Sequence, residues 1–306
     1  MKHLIAGAGP IGSAVAQQLV EAGHTATILS RSGRGPRRPG VALVAGDAAD
    51  ADLLADLAQG AAAIFNCLNP AYTRWPTDWP PLARALETAA ARSGAVLVTT
   101  SNLYGYGPHD GPITPDLPLA AIGPKGTVRA RMWLDALALH EAGRLRATEV
   151  RGSDYIGPDA EGHLGDRVVP RLLAGRSITV LGSADVPHTW TYTVDMARTL
   201  VAAAHDERAW GKAWHAVSNP PRTQHQAIDD LADAAGVERV AVTAYPAVVV
   251  RAMRLVIPLI RELQETEYQF TAPFVLDDSA TRTTFGLEPT PWTDVLAAQL
   301  DAFTPR

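Results

Sequence analysis

A glycine-rich turn near the start of the chain places the strongest constraint on its fold. Gly7, Gly9 and Gly12 form a G-x-G-x-x-G pattern that directly follows a short apolar segment and opens an amphipathic one. The first glycine allows a tight turn, the second lets a pyrophosphate approach the backbone, and the third lets helix and strand pack closely. Pro10 and Ile11 then begin a helix whose unpaired N–H groups attract an anion. The pattern predicts a dinucleotide site, and a turn without a ligand is the alternative.

Beyond this turn, the first half of the chain alternates apolar runs with stretches of helical period. This alternation is typical of a doubly wound parallel α/β sheet. The predicted strands are 4–6, 25–29, 41–44, 63–67, 96–99 and 147–151, and the predicted helices are 11–22, 50–59, 82–92 and 128–141. We expect a Rossmann core over residues 1–150, which the chain rejoins at about 176–215. Residues 151–175 and 216–306 are expected to form a smaller C-terminal substrate lobe.

The end of the second predicted strand distinguishes the two nicotinamide dinucleotides. NAD sites usually carry an Asp or Glu there, which accepts hydrogen bonds from the ribose hydroxyls. Residues 29–34 contain no carboxylate, and Arg31 and Arg34 stand on either side of Ser32. Because a guanidinium holds a phosphate in a bidentate way, we expect these three residues to bind the 2′-phosphate of NADP, with NAD less favoured.

A solvated basic loop, or a weak nucleic-acid patch, is the alternative interpretation of these arginines. The chain carries a formal charge of −5, so no general basic field points to nucleic acid. We therefore expect a small-molecule substrate and no nucleic-acid partner.

Polar residues also follow two later strands, where the ligands of such sheets collect. Asp47 follows the third predicted strand and is expected to accept a hydrogen bond from the adenine amino group. Asn66 and Leu68 stand at the end of the fourth strand and are further expected cofactor contacts. Capped turns are the alternative, since Asp and Asn are common in turns.

Five segments resemble, in order, the extended and atypical short-chain dehydrogenase/reductases of the NAD-dependent epimerase/dehydratase type. They are residues 7–12, 46–47, 96–105, 151–158 and 191–195. The resemblance covers about the first 205 residues. It implies an oxidoreductase, or an epimerase that works through transient oxidation, acting on a small molecule that is commonly a nucleotide sugar. A homodimer is a further expectation that rests on the resemblance alone.

The family's Tyr-x-x-x-Lys pair is missing. The 27 cationic residues include only three lysines, Lys2, Lys125 and Lys212, and none has a tyrosine four residues before it. In the register of the family, Lys125 replaces the tyrosine and Arg129 the lysine. Lys125 is therefore a candidate acid or hydrogen-bond donor, and Arg129 is expected to hold the ribose or the phosphates. An exposed helix residue is the alternative for Lys125.

Three hydroxyl groups near the end of the fifth strand complete the candidate catalytic set. The resemblance implies a Ser or Thr that polarises the substrate oxygen. Counting back from Tyr104 favours Thr100, whereas the local sequence favours Ser101, and the choice stays open. Tyr104 itself is a candidate for the missing phenol, with packing as its alternative role.

The expected substrate contacts lie in three segments. Tyr72 and Trp75 belong to a Pro-rich loop and are expected to wall an apolar pocket. Asp154 belongs to the segment 151–158, and His188 is a candidate proton carrier near pH 7. For the loop and for His188, a structural role is the alternative.

Several other classes of protein are disfavoured. The single cysteine, the absence of H-E-x-x-H and the lack of a helically spaced histidine pair lead us to expect no metal. No run of about eighteen apolar residues and no signal-peptide pattern occurs, so a cytoplasmic protein without a membrane segment is expected. Two hypotheses remain: an NADP-dependent oxidoreductase or epimerase with a non-standard acid/base, and a catalytically silent NADP-binding sensor or scaffold.

Overall fold

A seven-stranded parallel sheet forms the centre of the protein, in a computed structural model that describes residues 1–160 and 162–303. The strands are β1 (Lys2–Ala6), β2 (Thr25–Ser30), β3 (Val41–Ala45), β4 (Ala61–Asn66), β5 (Val96–Asn102), β6 (Arg146–Gly152), β7 (Asp154–Ile156), β8 (Ile178–Val180), β9 (Trp190–Tyr192), β10 (Ala213–His215) and β11 (Val242–Ala244). The order in the main sheet is β10-β6-β5-β4-β1-β2-β3. From β1, the strands β2 and β3 are added on one side and β4, β5 and β6 on the other. Folds of this class bind ligands at the point between β1 and β4 where the strand order reverses.

The helices are α1 (Pro10–Glu21), α2 (Ala51–Leu57), α3 (Trp75–Ser93), α4 (Pro124–Glu141), α5 (Val169–Leu173), α6 (Thr193–His205), α7 (Gln224–Ala235), α8 (Ala247–Val256), α9 (Pro258–Glu262), α10 (Tyr268–Thr271), α11 (Ser279–Phe285) and α12 (Trp292–Asp301). Short 3-10 turns stand at Tyr72–Arg74, Leu103–Tyr106, Glu207–Ala209 and Leu263–Thr266. No helix among the described residues is both long enough and apolar enough to span a membrane.

The side chains of the main sheet alternate between two helical layers. On β1, Ile5 packs with residues of α1 and α6, whereas Leu4 and Ala6 pack with residues of α2 and α3. This alternation follows from the two-residue period of a strand and explains why β1 is apolar on both faces. The predicted doubly wound parallel sheet is confirmed.

The sheet has one strand more than predicted. β10 is only three residues long and pairs in parallel with β6. Such a short segment carries no readable period, so the sequence could not indicate it. β10 is the edge strand of the main sheet, next to β6.

Two helices begin earlier than predicted. α3 begins at Trp75 rather than at residue 82, with Pro76 in its first turn and Pro80 and Pro81 inside it. α4 begins at Pro124 rather than at residue 128. Proline suits the first helical turn because its missing N–H has no intrahelical partner there, but two further prolines made the start of α3 look like a loop.

A smaller lobe packs around its own apolar cluster, which is drawn from α5, α7, α12 and the short strands. There β7 pairs with β9, and β8 with β11, both outside the main sheet. The chain then returns to the main sheet with α6, which packs against α1, and with β10. The lobe follows β6 directly and so stands at the carboxyl end of the sheet, the end at which folds of this class bind ligands.

Candidate cofactor and substrate site

The three glycines of the turn differ in what surrounds them. Gly7 has φ +107°, and a Cβ there would overlap the Cys67 carbonyl oxygen. A Cβ on Gly12 would overlap the carbonyl oxygen of Gly7. A Cβ on Gly9, which caps α1, would meet no described atom within 4 Å. Packing within the protein therefore requires the first and third glycines, whereas the second keeps space clear at the N-terminus of α1, where Pro10 and Ile11 begin the helix.

The loop after β2 presents two arginines to solvent. Arg31 and Arg34 are exposed, and neither forms an ion pair within the described part of the chain. The hydroxyl of Ser30 donates to the Arg34 carbonyl oxygen at 2.9 Å, and the Arg34 N–H donates to the Ser32 hydroxyl at 3.3 Å. These local bonds shape the loop and leave both guanidinium groups available to an anion.

The polar residues after β3 and β4 act as turn caps. An oxygen of Asp47 accepts from the Ala49 N–H at 2.9 Å, and the Asn66 side-chain oxygen accepts from the Leu68 N–H at 3.3 Å. Asp47 remains exposed, whereas Asn66 is buried. Their contact with a cofactor, and that of Leu68, stays a prediction.

The two candidate hydroxyls at the end of β5 have different surroundings. The Thr100 hydroxyl donates to the Cys67 sulfur at 3.6 Å, and Cys67 in turn lies against Gly7 and Gly12. Ser101 is buried, and its carbonyl oxygen accepts from the Tyr155 hydroxyl at 2.8 Å. Thr100 is thus the hydroxyl that the structure places beside the glycine turn.

Arg129 is a buried cation held between two indole rings. Its guanidinium carbon lies 5.0 Å from the ring centre of Trp75 and 4.5 Å from that of Trp79, a cation–π arrangement. Nη2 donates to the Thr100 carbonyl oxygen at 3.3 Å, but Nε and Nη1 have no hydrogen-bond partner among the described residues. Because an unsatisfied buried donor is costly, these two atoms indicate a missing oxygen-bearing ligand.

Lys125 is buried as well, which contradicts the alternative of an exposed helix residue. Its side chain is 2% exposed, and Nζ lies 2.5 Å from an oxygen of Glu262 and 2.6 Å from one of Glu265. The Lys125 N–H donates to the second oxygen of Glu265 at 2.9 Å, and Nζ lies 4.6 Å from the centre of the Tyr72 ring.

The charge state of Lys125 follows from these contacts. Burial lowers the pKa of Lys125, but hydrogen bonds to Glu262 and Glu265 outweigh it and raise the pKa above its usual value. Lys125 is therefore a fixed ammonium ion that ties the N-terminus of α4 to the segment after α9.

Tyr104 packs with Tyr72, whose ring contacts Lys125, and with Trp75, whose ring contacts Arg129. Its ring stands 5.9 Å from that of Trp75. Burial, followed by the charge of Tyr72, raises the pKa of Tyr104 well above its ordinary value. The phenol is therefore neutral at pH 7 and carries a proton that it can donate.

A small cleft of about 50 Å³ opens beside Tyr104. Its walls come from the 3-10 turn after β5, from β7 and from the C-terminal lobe: Tyr104, Asp154, His163, Leu181, Gly182, Val250, Arg254, Ile260, Leu263, Gln264, Thr266, Glu267, Gln269 and Phe270. Of the predicted substrate contacts, only Asp154 is among these residues. Tyr72 and Trp75 pack with Tyr104, and Trp75 belongs to α3 rather than to a loop.

His188 stands behind Asp154 and is fully buried, so it has no direct access to a substrate. One ring nitrogen lies 2.8 Å from an Asp154 oxygen, and the other lies 3.0 Å from the Gln269 carbonyl oxygen. Burial raises the pKa of Asp154, but the hydrogen bond and charge of His188 outweigh it and lower the pKa overall. Asp154 therefore presents an ionised carboxylate to the cleft, and His188 acts only through it.

Fold and site together define a dinucleotide-binding protein of the doubly wound α/β class. The sequence model of the NAD dependent epimerase/dehydratase family matches residues 3–215. The chain belongs to that family.

Solved structures with a similar fold cover nearly all of the chain. UDP-glucose 4-epimerase from Thermotoga maritima, solved with UDP-glucose, is 16% identical over 99% of this chain and 98% of its own, with a TM-score of 0.80. A dTDP-glucose 4,6-dehydratase double mutant from Streptomyces venezuelae, solved with NAD, is 22% identical over 99% and 97%, with a TM-score of 0.76. UDP-glucuronic acid 4-epimerase from Bacillus cereus, solved with UDP-glucuronic acid and NAD, is 18% identical over 99% and 98%, with a TM-score of 0.78. No curated protein sequence matches this chain.

The sequence analysis missed Glu262 and Glu265, which hold Lys125. Their three-residue spacing was the available signal, because it places two carboxylates on one face of a helical segment. Nothing in that spacing identifies a lysine almost half the chain away as their partner.

The different surroundings of the glycines predict different effects of adding a methyl group. Gly9→Ala should keep the melting temperature of the wild type, since Gly9 has φ −70° and free space around it, but should weaken NADPH binding at least about 10-fold. Gly12→Ala should lower the melting temperature itself because its Cβ meets backbone. Calorimetric titration with thermal unfolding of both variants checks this. Full NADPH affinity in Gly9→Ala would contradict the assignment of the turn.

Replacing Lys125 with Gln leaves the partly buried Glu262 and Glu265 without their cation. We expect a loss of about 2 kcal/mol of unfolding free energy at pH 7. Since the folded-state pKa of Lys125 is raised, this contribution is complete below the unfolded-state pKa of about 10.4 and is lost as the pH rises through the folded-state pKa. Urea unfolding at several pH values measures it. Lys212→Gln, which removes an exposed lysine, is the control, and equal stabilities of the two variants would contradict the clamp.

Proposed function

We propose that this protein is an NADP-dependent oxidoreductase or epimerase that acts on a small organic molecule by hydride transfer. The observation that carries the proposal is the buried Arg129, whose free Nε and Nη1 stand in the register of the family's ribose-binding lysine. Contacts run from the glycine turn through Cys67 and Thr100 to Arg129, and from there through Trp75 to Tyr104 at the cleft. A nicotinamide bound beside this row of residues would supply the hydride chemistry.

The residues present fit such a cofactor. The turn 7–12 and the N-terminus of α1 would hold the pyrophosphate, in the space that Gly9 keeps open. Arg31, Ser32 and Arg34 would hold a 2′-phosphate, since no carboxylate follows β2 to receive a free ribose hydroxyl. Arg129 would bind the nicotinamide ribose. The relatives from Streptomyces venezuelae and Bacillus cereus were solved with NAD, so the preference for NADP rests on this loop alone.

Tyr104 is the group that we assign to proton transfer. Lys125 is unsuited to it, because two carboxylates engage its ammonium group at 2.5 and 2.6 Å. Tyr104 faces the cleft as a neutral phenol, and its ring packs against Trp75, which also contacts Arg129. In a reduction, Tyr104 donates its proton to the substrate oxygen, and the Thr100 hydroxyl would turn from Cys67 to bond the same oxygen. In the reverse direction, Tyr104 takes the proton back.

The cleft suits a substrate that carries hydroxyl groups and an anionic group. The Asp154 carboxylate can accept hydrogen bonds from substrate hydroxyls. Arg254 lines the same cleft, and its buried Nε has no partner among the described residues although Nη2 pairs with Glu267 at 2.5 Å. A sugar joined to a diphosphate meets both requirements, and we propose a nucleotide sugar as the substrate class.

A silent NADP-binding sensor is the second candidate function. It is favoured by one observation, namely that the position of the family tyrosine carries a lysine fixed as a structural ion. A protein that binds NADPH but consumes none with a panel of nucleotide sugars, carbonyl compounds and imines would be such a sensor.

Removal of the Tyr104 hydroxyl tests the assignment of the acid. Tyr104→Phe should lower kcat by about 100-fold or more, the usual contribution of a general acid, and should leave NADPH affinity unchanged. Tyr245→Phe alters an exposed tyrosine outside the cleft and is the matched control. Stopped-flow turnover with a nucleotide sugar measures both. A Tyr104→Phe variant with normal kcat would remove Tyr104 from the mechanism.

Removal of one guanidinium tests the cofactor preference. Arg31→Ala should weaken NADPH binding by about 10- to 100-fold, the equivalent of one or two charge-assisted hydrogen bonds, without changing NADH binding. Arg37→Ala, in the same exposed loop, should leave both affinities unchanged. Fluorescence titration gives all of these values. If the wild type binds NADH as tightly as NADPH, the assignment of NADP is wrong.

A further inference from the structure

Three histidines meet at the amino-terminal end of the central strand β1, whereas the glycine turn follows its carboxyl end. His3 belongs to β1, His24 lies between α1 and β2, and His205 ends α6. One ring nitrogen from each lies within 4.8 Å of the others. Since Gly7 follows His3 by four residues of extended chain, about 13 Å separates this cluster from the glycine turn. The cluster is therefore distinct from the site described above.

His3 is the unusual member of the cluster. It is completely buried on the core face of a central strand, yet neither of its ring nitrogens has a hydrogen-bond partner among the described residues. Its ring packs edge-on against His205 at 5.0 Å and against His24 at 5.4 Å, and Phe65 lies 5.8 Å away. Buried polar atoms are seldom left unpaired, so this ring lacks the partner that would explain its position.

Burial and the neighbouring charges disfavour the protonated form of His3 and of His205. Burial, followed by the charges of His205 and His24, lowers the pKa of His3 to about 3. Burial and the charge of His24 also lower the pKa of His205. A neutral imidazole is the form that binds a metal, so an ion would not have to displace protons from His3 and His205 at pH 7.

Contacts with neighbouring groups orient the other two rings. The ring of His205 packs against those of His3 and His24, with centres 5.0 and 5.5 Å apart. His24 Nδ1 lies 3.2 Å from the Met1 nitrogen, which leaves its Nε2 free. Such outer contacts fix the orientation of a ligating ring in known metal sites.

We propose that His3, His24 and His205 form a binding site for a divalent transition-metal ion of the zinc type. Three imidazoles suit Zn²⁺, Co²⁺, Ni²⁺ or Cu²⁺ rather than Mg²⁺ or Ca²⁺. Ligand nitrogens in a tetrahedral zinc site are about 3.4 Å apart, so the rings must approach by about 1 Å. His205 is exposed and His24 is half-buried, which leaves both rings room to turn toward the fixed His3. The fourth position opens to water beside His205.

The ion would join three elements that are distant in sequence. It would tie β1 to the end of α1 and to the end of α6, the two helices that cover one face of the sheet. The metal would therefore stabilise the Rossmann core without touching the cofactor or the substrate. The sequence analysis expected no metal because it looked only for ligands close together in sequence.

Metal titration of the full chain, purified without a histidine tag, tests the site. We expect one Zn²⁺ per chain by calorimetry, a rise in melting temperature at saturating Zn²⁺, and intense visible absorption of a four-coordinate Co²⁺ complex. His24→Ala and His205→Ala should each weaken binding by more than about 100-fold, because loss of an outer contact alone costs 10- to 100-fold. His109→Ala removes an exposed histidine elsewhere and should bind Zn²⁺ normally.

NADPH affinity serves as the check on folding, since the variants lie far from the cofactor turn and should bind NADPH as the wild type does. The proposal is overturned if the wild type binds no Zn²⁺ at micromolar concentration. It is equally overturned if a folded His24→Ala/His205→Ala double variant binds Zn²⁺ as tightly as the wild type.

Discussion

The buried guanidinium of Arg129 is the interaction on which the candidate site depends. A cation removed from water must be compensated, and here two indole faces, one carbonyl oxygen and the charge of Glu149 share that task. The compensation is incomplete, because two N–H groups stay unpaired. An oxygen-rich ligand at this point would complete it, and in the proposed function that ligand is the ribose of the cofactor.

The indole rings explain the start of α3. Trp75 and Trp79 lie one turn apart on the helix, so both reach Arg129 only if the helix already begins at Trp75. Trp75 also contacts Tyr104, and the Arg129 site and the acid are thereby positioned by the same side chain. A Pro-rich segment that looked like a loop in the sequence is therefore a rigid wall of the site.

In the proposed function, the exchange of the family tyrosine for Lys125 redistributes roles rather than removing one. An ammonium group at this position attracts Glu262 and Glu265, and their charges hold it away from proton chemistry. The same ion pairs hold the segment that carries Arg254 and Gln269 beside the cleft. We assign the vacant acid role to Tyr104, the tyrosine that lines the cleft.

Features that depend on residues close together in the sequence could be predicted from the sequence. The glycine turn and the alternation of strands and helices were readable from nearby residues, whereas the family register of Lys125 and Arg129 stays a prediction. The partners of Lys125 and the meeting of His3 with His205 were not readable, because each joins segments that the fold alone brings together. The unpaired atoms of Arg129 follow from packing in the same way, and no sequence pattern records them.

A structure with NADPH bound tests the account most directly. The account predicts that Arg129 Nε or Nη1 bonds a ribose hydroxyl, and that the Tyr104 hydroxyl is the titratable group nearest to nicotinamide C4. Lys125 should still be paired with Glu262 and Glu265. A structure in which Lys125 has left both carboxylates and points at C4, with Arg129 unchanged, would contradict it.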